Sequence, residues 1–157
     1  MEENLKEAEK FRYIILAVQR RGNKLLKEYL KEIGVTPSQS EVISILKNEE
    51  YITLKDLGRL LICEEGSPSR LVERMVKDQL IERVRDKNDS RFVRLVLTSL
   101  GHEKYSLIIR AEAKMYTLLE QIYTIDELQV LNQILGKLLI DTSFERTLEE
   151  RGYSMNE

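Results

Sequence analysis

The side chains able to do chemistry in this 157-residue chain are few in kind and uneven in place. One cysteine, Cys63, and one histidine, His102, stand far apart in sequence, a poor basis for a nucleophile–base pair and too few for a zinc ligand set. None of the glycines falls in a phosphate-cradling loop pattern. The residues therefore offer no catalytic constellation and imply no metal and no cofactor; the chain reads as a non-enzyme. What remains is a concentration of cations. Residues 67–94 carry 8 Lys and Arg against 5 Asp and Glu, net +3, whereas residues 1–66 carry 11 against 12 and residues 95–157 carry 6 against 10. In a chain of net charge −2, a polyanionic partner would have to be met by this one segment.

The cations fall into two groups. Ser67, Ser69, Arg70, Arg74 and Lys77 share one side of a helical period whose other side is Leu71, Val72, Met75 and Leu80. Arginine reads guanine edges bidentately, and serine reaches bases or phosphates. Lys87, Arg91 and Arg94 belong to DKNDSRFVRLVLT, residues 86–98. There KNDS turns the chain between IERVR and FVRLVLT, two runs whose β-branched content marks a hairpin. An isolated charged hairpin tip is ordinarily only a solvated turn. Here it directly follows a helix with a cationic face, which makes it the wing of a helix-turn-helix.

The elements that must position these groups have clear local signals. In GVTPSQSEVISIL, Thr36 is the N-cap, Pro37 takes the first helical position and Gln39 completes a capping box, with Val42, Ile43, Ile45 and Leu46 as the buried face. Thr53 caps a short helix, TLKDLGRLL, with Asp56 at its positive end and Leu57, Leu60 and Leu61 inward. Ser67 before Pro68 starts the cationic helix. On the flanks, Phe11, Ile15, Val18, Gly22, Leu25, Tyr29 and Ile33 keep one helical phase, which predicts a single helix over 5–33 with Ile14 and Leu26 widening its stripe. Thr98 caps a further long helix. A capping box from Thr124 to Glu127 opens a last one, with Leu128, Leu131, Leu135, Leu138 and Leu139 as a continuous seam. The expected fold is mainly α with a small β-hairpin: one domain over 1–157, in which a winged helix-turn-helix lobe, 36–98, lies between flanking helices 5–33 and 99–145. The acidic N-terminus has no apolar signal region and no run spans a membrane, so a cytoplasmic protein is expected.

In this order and spacing the chain resembles the MarR family of bacterial transcription regulators. The residues carrying the resemblance are TPSQ at 36–39, TLKDLGRLL at 53–61, SRLVER at 69–74, LIER at 80–83, DSR at 89–91 and VLTSLG at 96–101. It implies a homodimer paired through the N- and C-terminal helices, with Phe11, Ile14, Ile15, Leu131, Leu135, Leu138 and Leu139 as interface residues. It implies a double-stranded DNA partner, a palindromic operator, usually repressed, with Ser38 and Gln39 joining Ser67, Ser69, Arg70, Arg74, Lys77, Lys87, Arg91 and Arg94 at the DNA. It also implies a small aromatic or phenolic effector between the dimer helices and the lobe, which Arg12, Tyr13 and Arg20 could line.

Two departures from the family pattern bear on function. No cysteine lies near the start of the first helix, where peroxide-sensing members carry one; Cys63, in the helix-turn-helix turn, is expected to be a buried, inert small hydrophobe. Pro68 sits inside the first turn of the reading helix and bears on which side chains reach the bases. The competing reading is a winged-helix protein-interaction module that has lost DNA binding, although such a loss should have erased the cations that are present.

Overall fold

A computed structural model describes residues 2–64 and 66–155. The long first helix, α1, runs Glu2–Leu30 and closes with a 3-10 turn, Lys31–Ile33, ended by Gly34 at a left-handed φ of 79°. The Thr36–Gln39 capping box is formed in both directions, Thr36 Oγ1 accepting from the Gln39 amide at 3.2 Å and Gln39 Oε1 from the Thr36 amide at 3.0 Å. It opens α2, Pro37–Asn48. Thr53 caps α3, Leu54–Leu60, and Ser67 caps α4, Pro68–Lys77, with Pro68 at the first helical position where a missing N–H removes no helical bond. The hairpin follows: β1, Ile81–Arg85, pairs antiparallel with β2, Val93–Leu97, Ile81 facing Leu97 and Arg85 facing Val93. Ile52, in the α2–α3 turn, makes an isolated antiparallel bridge to Leu95 that the sequence did not suggest.

Thr98 caps α5, Ser99–Ile122, and the Thr124–Glu127 box opens α6, Ile125–Gly136. Here the structure departs from the single last helix expected. The chain tightens into a 3-10 turn at Lys137–Leu139, passes Asp141 at φ 61°, and starts a separate helix, α7, Ser143–Glu150, capped by Thr142. That helix packs on α3 as well as on the Lys137–Leu139 turn at the end of the seam.

The core belongs to the middle of the chain. Val42, Ile43 and Leu46 of α2, Leu57 of α3, Leu71, Val72 and Met75 of α4 and Ile81 and Leu95 of the hairpin are buried, joined by Leu30 from α1 and Ile108 from α5. Burial of this kind stabilises by about 1.5–3 kcal/mol per side chain, so it is this lobe that holds the reading helix and hairpin in place. Gly101 seats α5 against it: a Cβ there would be driven into the Leu80 carbonyl oxygen and lie 3.1 Å from Leu97 Cδ2. The flanking helices are apolar in the open. Phe11 and Ile14 on α1 and Leu131, Leu135 and Leu138 on or beside α6 are exposed, while Ile15 and Leu139 are half-buried. No helix among the described residues is long and apolar enough to cross a membrane.

Candidate nucleic-acid interface

Helix α4 has a sharply divided surface. Leu71, Val72 and Met75 are locked in the core, so the helical period turns Ser69, Arg70, Glu73, Arg74 and Lys77 to solvent. Arg70, Arg74 and Lys77 form no ion pair among the described residues, and with Glu64, Gly66, Ser67 and Glu73 they line one broad, shallow depression. The Ser67 and Ser69 hydroxyls lie 2.8 Å apart at the helix start, and Ser67 Oγ also accepts from the Arg70 amide at 3.4 Å. Ser67 is thus used as the cap, while Ser69 and the three cations are presented outward at the positive end and along the face of the helix.

The hairpin tip is built around two carboxylates. Asp86 Oδ1 accepts from the Asn88 and Asp89 amides at 2.7 and 3.0 Å, and Asp86 Oδ2 accepts from Arg94 Nε at 2.6 Å. Asp89 accepts from the Arg91 amide at 3.1 Å and holds its guanidinium through Nε and, at 2.7 Å, Nη2. These donors hold both carboxyls below the usual carboxylate range: the Asn88 amide first and then Arg94 at Asp86, the Arg91 guanidinium first at Asp89. Tyr51 ties the tip to the lobe, its hydroxyl donating to the Arg85 carbonyl at 3.2 Å and accepting from the Lys87 amide at 2.9 Å.

The three wing cations therefore differ. Lys87 and Arg91 are exposed, the Arg91 side chain at 85% although Asp89 fixes its direction. Arg94 is only 26% exposed, paired with Asp86 and lying 5.7 Å from the Tyr51 ring centre and 5.8 Å from that of Phe92. Arg94, expected as a DNA contact, braces the wing from within through this pair. Ser38 and Gln39 are likewise occupied, Ser38 Oγ donating to the Cys63 carbonyl at 3.4 Å and Gln39 closing its capping box. Asp86, Asp89 and Tyr51 were not singled out from the sequence, although an aspartate two residues before an asparagine at a turn is a recognisable Asx-turn signal.

A cavity of about 320 Å³ opens between α2, α5 and the C-terminal segment. Glu41, Cys63, Tyr105, Glu112, Tyr116 and Arg151 are among its lining residues; Arg12, Tyr13 and Arg20 are not. Arg12 instead lies against its neighbour Tyr13, 4.6 Å from the ring centre, on the exposed first half of α1. Cys63 is not buried as expected but exposed, yet its thiol is pushed up to about 12, first by burial of the sulfur against the cavity and then by the Glu41 carboxylate. Burial also raises Glu112, with Arg151 opposing it.

An exposed cationic reading helix beside a braced, cation-tipped hairpin defines a winged helix-turn-helix of the DNA-binding kind. Residues 35–93 match the sequence profile of the MarR family. The multiple antibiotic resistance protein MarR of Escherichia coli is 28% identical over 129 residues, 80% of this chain and 88% of that protein. The transcriptional regulator SarZ of Staphylococcus haemolyticus is 34% identical over 73 residues, 46% of this chain and only half of that protein. A crystal structure of a mutant E. coli MarR complexed with operator DNA superposes with a TM-score of 0.76 at 27% identity, covering 85% of this chain and 96% of the other. Residues 35–93 thus carry a MarR-family domain, and over most of its length the chain is similar to winged-helix transcription regulators of that family.

Proposed function

We propose that this protein is a repressor that binds a palindromic operator as a homodimer and releases it in response to a small molecule. The observation that carries the DNA part is that Arg70, Arg74 and Lys77 along the open face of α4 form no ion pair among the described residues, next to a wing that exposes Lys87 and an Arg91 directed by Asp89. Exposed cations on both elements favour a polyanionic partner over the protein-interaction reading. In this reading the first turn of α4 enters the major groove, Arg70 reaches base edges and Arg91 lies at the backbone or narrow minor groove. The exposed seams of α1 and α6, Phe11, Ile14, Leu131, Leu135 and Leu138 among them, support pairing of two copies. For the effector, the tyrosines of the cavity favour an aromatic occupant, and its carboxylates favour a neutral or cationic one over an anion.

The test is affinity for a duplex selected by the protein from a random pool, measured against single-base variants at several salt concentrations. Arg70→Ala is expected to cost ~1–3 kcal/mol and to relax discrimination at one position of each half-site. Arg91→Ala is expected to weaken all sequences evenly and to reduce the salt slope by about one. An Arg91→Ala protein with unchanged affinity and slope would reduce the wing tip to a solvated turn. Sedimentation giving an 18.4 kDa species would remove the dimer, and with it the palindrome.

A further inference from the structure

The turn between α3 and α4 sets where the reading helix begins, yet its described residues are not helical. Its Ile62 and Cys63 amides donate to a single acceptor, Glu41 Oε1 of α2, at 2.8 and 2.9 Å. The other oxygen of that carboxylate, Oε2, accepts from Arg151 Nη1 at 2.8 Å, with the two side chains only 6% and 22% exposed. The same Nη1 donates to the Leu60 carbonyl at 3.3 Å, and the Thr147 hydroxyl donates to the Arg59 carbonyl at 2.8 Å. Arg59 and Leu60 are the last residues of α3, whose carbonyls have no partner within the helix. The C-terminal segment thus caps α3 and supplies the countercharge to the carboxylate that holds the turn.

We propose that Arg151, acting through Glu41, is a positioning residue for DNA reading: α7 and the residue after it form a strap that fixes the α3–α4 turn and so the start of α4. The Arg151 guanidinium balances the charge of this deeply buried carboxylate, and removing it leaves that charge uncompensated. The carboxylate then turns toward water, which weakens its grip on the Ile62 and Cys63 amides. The turn loosens, and Ser67, Ser69 and Arg70 lose their fixed placement, although no side chain that faces the DNA has changed. This inference rests on the DNA-binding reading above, but its first consequence is a property of the free protein.

The experiment compares full-length wild type, Arg151→Met and Arg151→Lys by amide hydrogen exchange, and by affinity for the duplex that the wild type selects from a random pool. In Arg151→Met the peptides covering 61–71 should exchange about tenfold faster or more, the scale of one lost hydrogen bond to a charged group, while those of the hairpin keep their wild-type rates. Affinity for the selected duplex should fall by about the same factor with the salt slope unchanged, because no phosphate contact is removed. Arg151→Lys, which keeps the charge, should recover most of both. Wild-type exchange at 61–71 in Arg151→Met, an even rise across the whole lobe, or an unchanged affinity would each overturn the proposal. If the wild type selects no duplex, the DNA-binding reading fails instead, and the exchange rates still decide whether Arg151 holds the turn.

Discussion

Gly101→Ala adds one methyl group at the joint between α5 and the winged lobe, and its cost can be worked from the contacts there. The new Cβ would meet the Leu80 carbonyl oxygen well inside van der Waals contact and Leu97 Cδ2 at 3.1 Å. Leu80 O is backbone, so it cannot swing aside as a flexible side chain would. It also accepts from the Thr98 amide at 3.1 Å and the Thr98 hydroxyl at 3.0 Å, and Thr98 is the residue that caps α5. Overpacking costs ~1–3 kcal/mol, and loosening those two bonds adds about 1 kcal/mol each. The helix preference of alanine over glycine returns about 1 kcal/mol. A net loss of about 2–4 kcal/mol is expected, or roughly 4–16 °C in Tm for a chain of this size. Thermal unfolding followed by circular dichroism measures it, with Gly22→Ala as the internal contrast. A Cβ at Gly22, in mid-α1, meets only Met115 Cε at 3.8 Å, an ordinary contact, so that substitution should gain about 0.5–1 kcal/mol. If Gly101→Ala unfolds at or above the wild-type temperature, close packing at this joint is not what holds α5 to the lobe.

Two further expectations follow from ionisation. Because the Cys63 thiol is pushed up to about 12, its alkylation by iodoacetamide at pH 8 should run about three orders of magnitude slower than that of an ordinary thiol near 8.5. Labelling in the native state as fast as in urea would contradict this. Asp86 and Asp89 titrate below their unfolded value of about 3.9, so what they contribute to the wing is fully present above that pH and is lost as pH falls through the depressed folded values. The amide signals of residues 86–91 should accordingly hold their native positions from neutral pH down to about 4 and collapse only below it. A collapse already at pH 5 to 6 would mean that these carboxylates do not organise the tip.

The local architecture was legible in the residues themselves. Thr36, Thr53, Ser67, Thr98 and Thr124 each cap the helix that their sequence context announced, because a cap is a bond between residues three positions apart. The division of α4 into a core face and a cationic face was legible for the same reason, since helical geometry alone sets which of its residues share a side. The seam through Leu128, Leu135 and Leu139 misled, because apolar spacing records which face is buried and not whether the backbone continues; it breaks after Gly136, and Thr142 with Glu145 starts α7. The sequence could offer Lys87, Arg91 and Arg94 only as equivalent cations, and it could not link Glu41 to Arg151. Whether an arginine is presented to solvent or spent on a carboxylate depends on which surfaces pack together, as they do for Arg94 on Asp86 and for Arg151 on Glu41, 110 residues away. Those pairings are made only when the chain folds: no periodicity or spacing encodes them, and tertiary packing alone decided them.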